Sequence, residues 1–341
     1  MLKRIGFACK WIDGPSQING IKQKDTAKQY NTGSTTVAWL NRQSKEVAEQ
    51  KLWDLMVQNI ESTRKLVERV GDLDDSLRMV RISSDILPVF TQRDWSYFWR
   101  RSDVVEYCEK HFSTIGRIAR DRNVRLSMHP GQFVVMASDN PDIVSRSIEE
   151  FEYHATMAKY MGYGQKFQDF KINVHIAGRQ GPEGIRKAYQ RLSPEARNTL
   201  TIENEENAWG LDDCLSLTDT VPIVLDIHHH WIREGEYIQP GDDRVKRVVD
   251  SWRGVRPTMH YSVSREDVLD VSAHPTRPEM ALLLEQGYKK QKLRAHSNFY
   301  WNNDVNDWAL TFLDQFDIMC ESKAKNLASH ALYKYHLCTV S

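Results

Sequence analysis

Short apolar segments alternate along the chain with longer segments in which apolar residues recur every three to four positions. The short segments predict eight β-strands, at residues 4–9, 79–83, 124–129, 171–175, 200–203, 223–226, 258–261 and 316–319. The helical periodicity is clearest in a helix expected to begin after Ser44 as its N-cap, with a stripe of Leu52, Leu55, Met56, Ile60, Leu66, Val67 and Val70. Further helices are predicted at about 141–161, with a proline in the first turn, and at about 323–336.

This alternation of strands and helices predicts an α/β fold with a parallel sheet, because each strand–helix–strand unit places its two strands parallel. Eight units favour a closed (β/α)₈ TIM barrel over an open doubly wound sheet. No GxGxxG or Walker loop follows a predicted strand, which also disfavours a nucleotide-binding fold. We therefore expect residues 1–341 to form one barrel domain. Its active site should lie at the C-terminal face of the strands, where the long connections 10–43 and 262–292 begin.

Composition narrows the classes of function. Of the 341 residues, 40% are hydrophobic and 27% charged, and 46 lysines and arginines balance 46 acidic residues. Binding of nucleic acid through bulk positive charge is therefore excluded, whereas a local basic groove is not. The five scattered cysteines form no CxxC pair, so neither a disulfide framework nor a thiolate zinc site is expected. Without a recognisable leader or a long apolar segment, we expect a cytoplasmic protein with no membrane contact and no obligate protein partner.

Ionisable side chains stand where the predicted strands end. They are His129, His175, Glu203, Asp226 with His229 behind it, His260, His296 and Glu321. Any one of them is more simply explained as a cap or a solvated loop residue, but six of the eight units end this way, and barrel strands end at one mouth. Imidazoles and carboxylates without thiolates suit Mn, Fe, Zn or Ni, and carboxylates can bridge two ions about 3.5–4 Å apart. The pattern predicts a multi-metal hydrolase or a metal-dependent sugar isomerase, and spacing alone does not separate the two.

Three consecutive histidines, at 228–230, follow the sixth predicted strand. On an extended or loop backbone their side chains cannot all face the inside of the barrel. Asp226 and His229 are therefore the expected ligand pair, and His228 and His230 are expected to be structural.

Nine motifs carry a family resemblance along almost the whole chain. They are RIGFAC, RISSDILP, MHPGQFVVMAS, INVHIAG, LTIENEE, VPIVLDIHHH, MHYSVS, LRAHSNFYWN and FDIMCESKAKNLA. In this order they resemble the UV damage endonuclease family, relatives of endonuclease IV. The resemblance implies a TIM barrel whose mouth holds two or three divalent ions, with Mn²⁺ expected first and Zn²⁺, Co²⁺ or Mg²⁺ as alternatives. It also implies nicking of damaged double-stranded DNA immediately 5′ to cyclobutane dimers, 6-4 photoproducts and abasic sites, which leaves a 3′-hydroxyl.

The resemblance also assigns roles to individual residues. The residues on the family's ligand positions are His129, His175, Glu203, Asp226, His229, His260, His296 and Glu321. Glu203, Asp226 and Glu321 are the implied catalytic carboxylates, with Glu203 expected to bridge two ions. Two positions depart from the family pattern, because Gln92 stands where a histidine is usual and Thr258 where a lysine is often found. One ion position is therefore expected to be altered.

Recognition of the damage is implied by the loop after the third strand. The family's Gln–Tyr pair after HPG wedges into the duplex, and the corresponding residues here are Gln132 and Phe133. Phe7 stands where the family has a tyrosine near the lesion, so Gln132, Phe133 and Phe7 are the implied DNA-contacting residues.

Two basic segments leave alternatives open. Residues 92–101, QRDWSYFWRR, interleave aromatic residues with arginines as in a DNA-edge loop, but a surface helix that buries those aromatic side chains is equally consistent. The cations Lys289, Lys290, Lys292 and Arg294 either follow the DNA backbone or form a solvated face.

Three functions compete at this point. A metal-dependent DNA repair endonuclease agrees with the motifs and with the strand-end residues. A sugar isomerase or epimerase of similar barrel shape shares the metal chemistry but requires a closed pocket without a protruding HPGQF loop. A non-catalytic binder of damaged DNA would have no chemical need for Glu203, Asp226 and Glu321. The endonuclease is therefore the expected function.

Overall fold

The structure, a computed structural model, describes residues 2–14 and 26–340. All eight predicted strands are present. They are β1 (Ile5–Ala8), β2 (Met79–Arg81), β3 (Arg125–Met128), β4 (Lys171–His175), β5 (Leu200–Glu203), β6 (Ile223–Val224), β7 (Thr258–Tyr261) and β8 (Asp317–Cys320). β6 is two residues shorter than predicted, because Asp226 serves as the N-cap of the following helix.

The strands form one parallel sheet that curves into a barrel. Their order in the sheet is β6–β5–β4–β3–β2–β1–β8–β7, with each neighbouring pair parallel. The two end strands meet where Asp226 bridges to His260, and the His260 N–H donates to the Leu225 carbonyl oxygen at 2.9 Å. The predicted (β/α)₈ TIM barrel is therefore confirmed.

Helices connect the strands on the outside of the barrel. In the described residues they are α1 (Val37–Leu40), α2 (Lys45–Gly71), α3 (Ser102–Asp121), α4 (Pro141–Tyr160), α5 (Gly181–Arg191), α6 (Pro194–Thr199), α7 (Leu211–Leu215), α8 (Ile227–Glu234), α9 (Asp243–Ser251), α10 (Met280–Glu285), α11 (Lys290–Leu293), α12 (Asn303–Leu310) and α13 (Lys325–Val340). Within this part of the chain, no helix combines the length and the apolar character that crossing a membrane requires.

Helix α2 illustrates how the sequence pattern becomes packing. Ser44 caps the helix as predicted, and its hydroxyl accepts from the Val47 N–H at 3.4 Å. The predicted apolar stripe is buried, and α2 packs against α3 and β2. Each fully buried large apolar side chain contributes about 1.5–3 kcal/mol, so packing of this stripe, more than helix propensity, holds α2 on the barrel.

An ion cluster around Asp317 closes the N-terminal end of the barrel. The Asp317 carboxylate is fully buried and accepts from Arg125 at 2.6 Å and from Arg256 at 2.7 Å. The Arg4 guanidinium lies 3.7 Å away, and the Arg4 backbone N–H also donates to Asp317 at 2.9 Å. One carboxylate is thus the shared partner of three arginines at the end of the barrel opposite the mouth.

The long connection after β7 borders the C-terminal mouth. It carries α10, α11 and α12 and packs onto α8 through its own hydrophobic cluster, formed by Trp231, Ile232, Leu269, Met280, Leu283 and Leu293. The other predicted long connection follows β1, and its residues 15–25 lie outside the described residues.

Candidate metal centre

The strand register brings the strand-end residues together at the C-terminal mouth. His175 is paired with Glu203 between β4 and β5, and Asp226 bridges to His260 between β6 and β7. Glu321 directly follows β8, and its backbone N–H donates to the Tyr261 carbonyl oxygen at 2.9 Å. The side chains that end strands far apart in the sequence therefore lie together in one ring around the barrel mouth.

The side chains of this ring form two groups that could each hold a metal ion. Within each group, the possible ligand atoms all lie within 4.8 Å of one another. The first group is His129, His175 and Glu203, and the second is Glu203, Asp226, His260 and Glu321. Glu203 is the member common to both. This arrangement can hold two ions that share one carboxylate, which is the geometry expected of a bridging ligand.

Glu203 is fully buried at the centre of the ring. Its Oε1 lies 2.9 Å from His260 Nδ1, and its Oε2 lies 3.4 Å from His129 Nε2. Asn173 also donates its side-chain N–H to Oε2. Burial alone would raise the pKa of Glu203, but the neighbouring imidazoles, His260 first, hold this pKa well below its usual value. The carboxylate is thus kept anionic, as a metal ligand must be.

The hydrogen bonding of the Asp226 carboxylate indicates whether this side chain could bind a metal ion. Its Oδ1 accepts from the His229 backbone N–H at 2.8 Å, whereas its buried Oδ2 has no hydrogen-bond partner. Burial raises the pKa of Asp226 well above its usual value. A buried carboxylate oxygen without a partner is costly unless a cation or a proton satisfies it. The side chain therefore fits a divalent ion.

Two of the histidines have the second interaction that ligating imidazoles usually make. His129 Nδ1 lies 2.9 Å from the Pro130 carbonyl oxygen, and His229 Nδ1 lies 2.9 Å from the Asn204 carbonyl oxygen. When each Nδ1 carries the proton and donates, Nε2 is left free to bind a metal. Burial lowers the pKa of His175 to about 4, which keeps that imidazole neutral.

The expectation that residues 228–230 are extended or in a loop is wrong. They lie in α8, which begins directly after Asp226, so successive side chains point about 100° apart around the helix axis. His229 faces the mouth, the ring of His228 lies 6.0 Å from the ring of His296, and His230 Nε2 lies 3.2 Å from Glu236. Asp226 and His229 are thus adjacent because the cap and the first helical turn place them so.

Lys171, Asn173 and Arg81 also belong to this region, and the sequence reasoning missed all three. Lys171 begins β4, is 3% exposed, and its Nζ lies 2.9 Å from His260 Nε2. Burial lowers the pKa of Lys171 to about 7. Arg81 ends β2 and forms an ion pair with Glu321. In KINVH, the polar residues 171, 173 and 175 alternate with apolar residues. This period of two was the available signal that Lys171 and Asn173 face the barrel interior together with His175.

The two departures from the family pattern lie in different surroundings. Thr258 is buried at the start of β7, two residues before His260 and on the same side of the strand. Gln92 is exposed on the segment after β2.

The predicted DNA-contacting residues do not share one environment. Gln132 is exposed, and the Phe133 side chain is 83% exposed just beyond His129. Phe7 is only 1% exposed, and its ring packs edge-on against Trp11 at 5.8 Å. Phe7 thus packs inside the barrel, and its contact with DNA stays a prediction.

The segment 92–101 follows the packing alternative. Its side chains Trp95, Phe98 and Trp99 are buried, and Arg101 pairs with Glu49 at 2.7 Å. Only Tyr97 among its four aromatic residues is substantially exposed.

A polar cavity of about 570 Å³ lies beside the ring of ligands. His229, His296 and Glu206 border it on the side of the metal centre, and Arg265, Lys292 and Arg294 contribute cations. Lys290 Nζ donates to the Arg233 carbonyl oxygen at 2.6 Å, and Arg265 and Arg294 pair with Asp267 and Glu206. The cavity thus joins the candidate metal centre to a surface that carries cations together with the carboxylates Glu206 and Asp267.

Comparison with known proteins agrees with this geometry. The family model described as UV-endonuclease UvdE matches residues 4–340. The chain belongs to the UvdE family. Membership of UvdE indicates a DNA repair nuclease that hydrolyses phosphodiester bonds, and it confirms the resemblance drawn from the motifs. The sugar isomerase alternative is not favoured.

Relatives of this UvdE chain include two curated enzymes. It is 26% identical over 313 residues to the UV-damage endonuclease of Schizosaccharomyces pombe, covering 84% of this chain and 49% of that protein. The chain thus spans about half the length of that relative. It is 25% identical over 297 residues to the UV DNA damage endonuclease of Bacillus cereus strain Q1, covering 84% and 83%.

Solved structures support the same fold. The crystal structure of SacUVDE matches with a TM-score of 0.70 and 21% identity, covering 98% of this chain and 97% of that chain. Endonuclease IV from Thermus thermophilus matches with a TM-score of 0.52 and 14% identity, covering 80% and 93%.

Proposed function

We propose that this UvdE-family protein nicks the DNA backbone 5′ to cyclobutane dimers and 6-4 photoproducts, and also at abasic sites, through attack of a metal-activated water. It would use two or three divalent ions, with Mn²⁺ the first expectation. The observation that carries the proposal is the pair of ligand groups joined by Glu203 at the barrel mouth. Family membership supplies the reaction class, and the exposed Phe133 beside this mouth supports a duplex substrate.

In the proposed mechanism, His129, His175 and Glu203 would hold one ion, and Glu203, Asp226, His260 and Glu321 would hold a second. Divalent ions in such a pair polarise the phosphoryl oxygens and lower the pKa of a bound water. The chain's own contribution is to hold the ligands in place. Asn173 orients Glu203 and Arg81 orients Glu321, each through a direct hydrogen bond or ion pair.

Arg265, Lys292 and Arg294 would receive the DNA strand at the cavity beside the ions. Their guanidinium and ammonium groups suit phosphate oxygens, which carry no sequence information. This role agrees with a neutral chain, since phosphates need cations in one place and not a positive total charge.

Removal of the exposed pair, Gln132→Ala with Phe133→Ala, is expected to reduce discrimination between damaged and undamaged duplex by about tenfold or more. Stacking of an aromatic ring on a base is worth about 1–3 kcal/mol, and the alanine pair has no ring. Bound Mn²⁺ should be unchanged, because neither residue belongs to a ligand group. Leu282→Ala, at a side chain 54% exposed, is the matched control. Equal binding and cutting of damaged duplex by the alanine pair and the parent protein would reject the wedge.

The test of the proposal is incubation of the purified protein with Mn²⁺ and a UV-irradiated, end-labelled duplex. A product cut immediately 5′ to the lesion, with a 3′-hydroxyl, is expected. The same duplex without irradiation should stay intact, and a chelator should stop the reaction. Cleavage that ignores irradiation, or that continues in the chelator, would contradict the proposal.

A further inference from the structure

Two loops at the barrel mouth are fixed to each other. The first, residues 131–139, follows β3, and the second, residues 178–181, follows β4. Gln180 joins them, because its backbone N–H donates to the Ala137 carbonyl oxygen at 2.8 Å and its side-chain N–H donates to the Ser138 carbonyl oxygen at 3.0 Å. These two segments, the loop pair, therefore form one unit.

Gly178 allows the close approach of the two loops. Its φ is +108°, and a Cβ at this position would lie 2.4 Å from the backbone carbon of Ala137. Only glycine fits such a backbone so close to its neighbour. The Gly178 carbonyl oxygen also accepts from Trp209 Nε1 at 2.7 Å, so the loop after β5 holds the same turn. The turn after β4 is thus fixed in position from two sides.

Arg179 is the side chain that this turn presents to solvent. It is 88% exposed, and within the described residues its one ion pair is with Asp139 at 3.5 Å, a side chain that is itself 59% exposed. Water and salt screen such a contact, so a phosphate can replace the carboxylate at little cost. On the neighbouring loop, Phe133 is 83% exposed. The loop pair therefore presents a cation suited to phosphate and a ring suited to a base on one fixed surface.

Arg179 also lies close to the candidate metal centre. It follows His175, a member of the first ligand group, by four residues. Four residues span at most about 14 Å, and one strand of a duplex carries a phosphate roughly every 3.4 Å along its axis. The backbone of Arg179 is therefore within about four phosphates of that centre. The cations that border the polar cavity follow β7, which does not neighbour β4 in the sheet, so Arg179 occupies a separate part of the rim.

We propose that Arg179 binds a backbone phosphate of the DNA and holds the duplex beside Phe133, as a positioning residue that takes no part in the chemistry. The inference rests on the proposed function for DNA as the ligand, and it adds a contact outside the metal centre. A guanidinium can donate two parallel N–H groups to phosphate oxygens. Because a phosphate carries no information about sequence or damage, the contact should strengthen binding of damaged and undamaged duplex alike.

The competing explanation is that Arg179 is an ordinary solvated surface residue. Arg179→Gln removes its charge and keeps a polar side chain. Arg117→Gln is the matched control, because Arg117 is 65% exposed and pairs with the exposed Asp121 at 3.7 Å on α3, outside the barrel. The two arginines resemble each other in exposure and in their partner, and they differ in their distance from the mouth.

The experiment is a titration of a fluorescently labelled, non-irradiated duplex with the full-length protein in Mn²⁺, followed by anisotropy at several salt concentrations. Each phosphate contact contributes about 0.9 to the slope of log affinity against log salt. Between about 50 and 200 mM salt, the affinity of Arg179→Gln should therefore fall about 3.5-fold less than that of the parent. Its affinity should be lower than the parent's at the low-salt end. Arg117→Gln should match the parent in both affinity and slope.

Single-turnover nicking of an irradiated duplex gives a second measurement. Arg179→Gln should reach the parent's maximal rate but need more protein for half of that rate. Equal salt slopes for Arg179→Gln and the parent, or equal changes in the two arginine variants, would overturn the inference. A lower maximal rate with unchanged affinity would also overturn it, because Arg179 would then act in the chemistry.

The two proposals fail separately. A parent that nicks damaged DNA while Arg179→Gln binds duplex as the parent does defeats the inference alone. A parent whose duplex binding depends on Arg179, but which does not nick, defeats the proposed function alone.

Discussion

Glu203→Gln is expected to lower the rate of nicking by about 10³-fold or more. Glu203 is the one residue common to both ligand groups, so its loss affects two ion positions together. An amide has a single neutral oxygen in place of two anionic ones, and it cannot bridge two cations equally well. Metal ions contribute several kcal/mol to the transition state, and 1.36 kcal/mol corresponds to a factor of ten in rate.

The measurement is the single-turnover rate on a UV-irradiated duplex, together with the Mn²⁺ content of the same sample. Fewer bound ions are expected in Glu203→Gln, with a thermal unfolding curve that stays cooperative. Glu205→Gln, two positions along the same segment, should retain both rate and ions. Full activity in Glu203→Gln would show that this carboxylate does not bridge the ions.

Asp317→Asn is expected to lower the free energy of unfolding by about 3–5 kcal/mol. The side chains of Arg4, Arg125 and Arg256 are 12%, 19% and 10% exposed, and Asp317 is their shared carboxylate. Removing one partner from a buried ion cluster leaves the remaining charges without compensation, which costs more than the pair itself contributes. Asparagine keeps the shape and one acceptor oxygen, so the loss would be electrostatic and not a packing defect.

Urea unfolding monitored by circular dichroism measures this effect. Asp314→Asn is the matched control, because Asp314 pairs with Lys3 at 2.5 Å but its side chain is 80% exposed. An exposed pair of this kind contributes little to stability, because solvent and salt screen the attraction. A similar decrease in the free energy of unfolding for the two variants would mean that burial of the three arginines does not affect stability.

The strands, and the convergence of the strand-end residues at one mouth, could be predicted from the sequence because parallel barrels impose a simple rule. Apolar runs mark strands that are buried on both faces, and the residue that ends each run must lie at one mouth. Glu203, for example, could be placed at the mouth without knowledge of its neighbours. Asp226 could be placed in the same way, although its part in ending β6 and beginning α8 could not.

The residues that sequence reasoning missed depend on information that one strand does not contain. Lys171 begins β4, and its Nζ meets His260 of β7, a strand with which β4 does not pair, only because the sheet curves into a barrel. Arg81 meets Glu321 across β1, which separates β2 from β8 in the sheet. The helix at 228–230 was missed because three histidines have no apolar periodicity.

Asp226 has a further consequence for how the site accepts an ion. One of its oxygens is held by the first turn of α8, and its other oxygen is buried without a hydrogen-bond partner. A carboxylate whose rotamer is already chosen loses little conformational entropy on coordination. The hydrogen bond from the His229 N–H to Asp226 also caps α8. A change that displaces the Asp226 carboxylate should therefore also destabilise the first turn of α8.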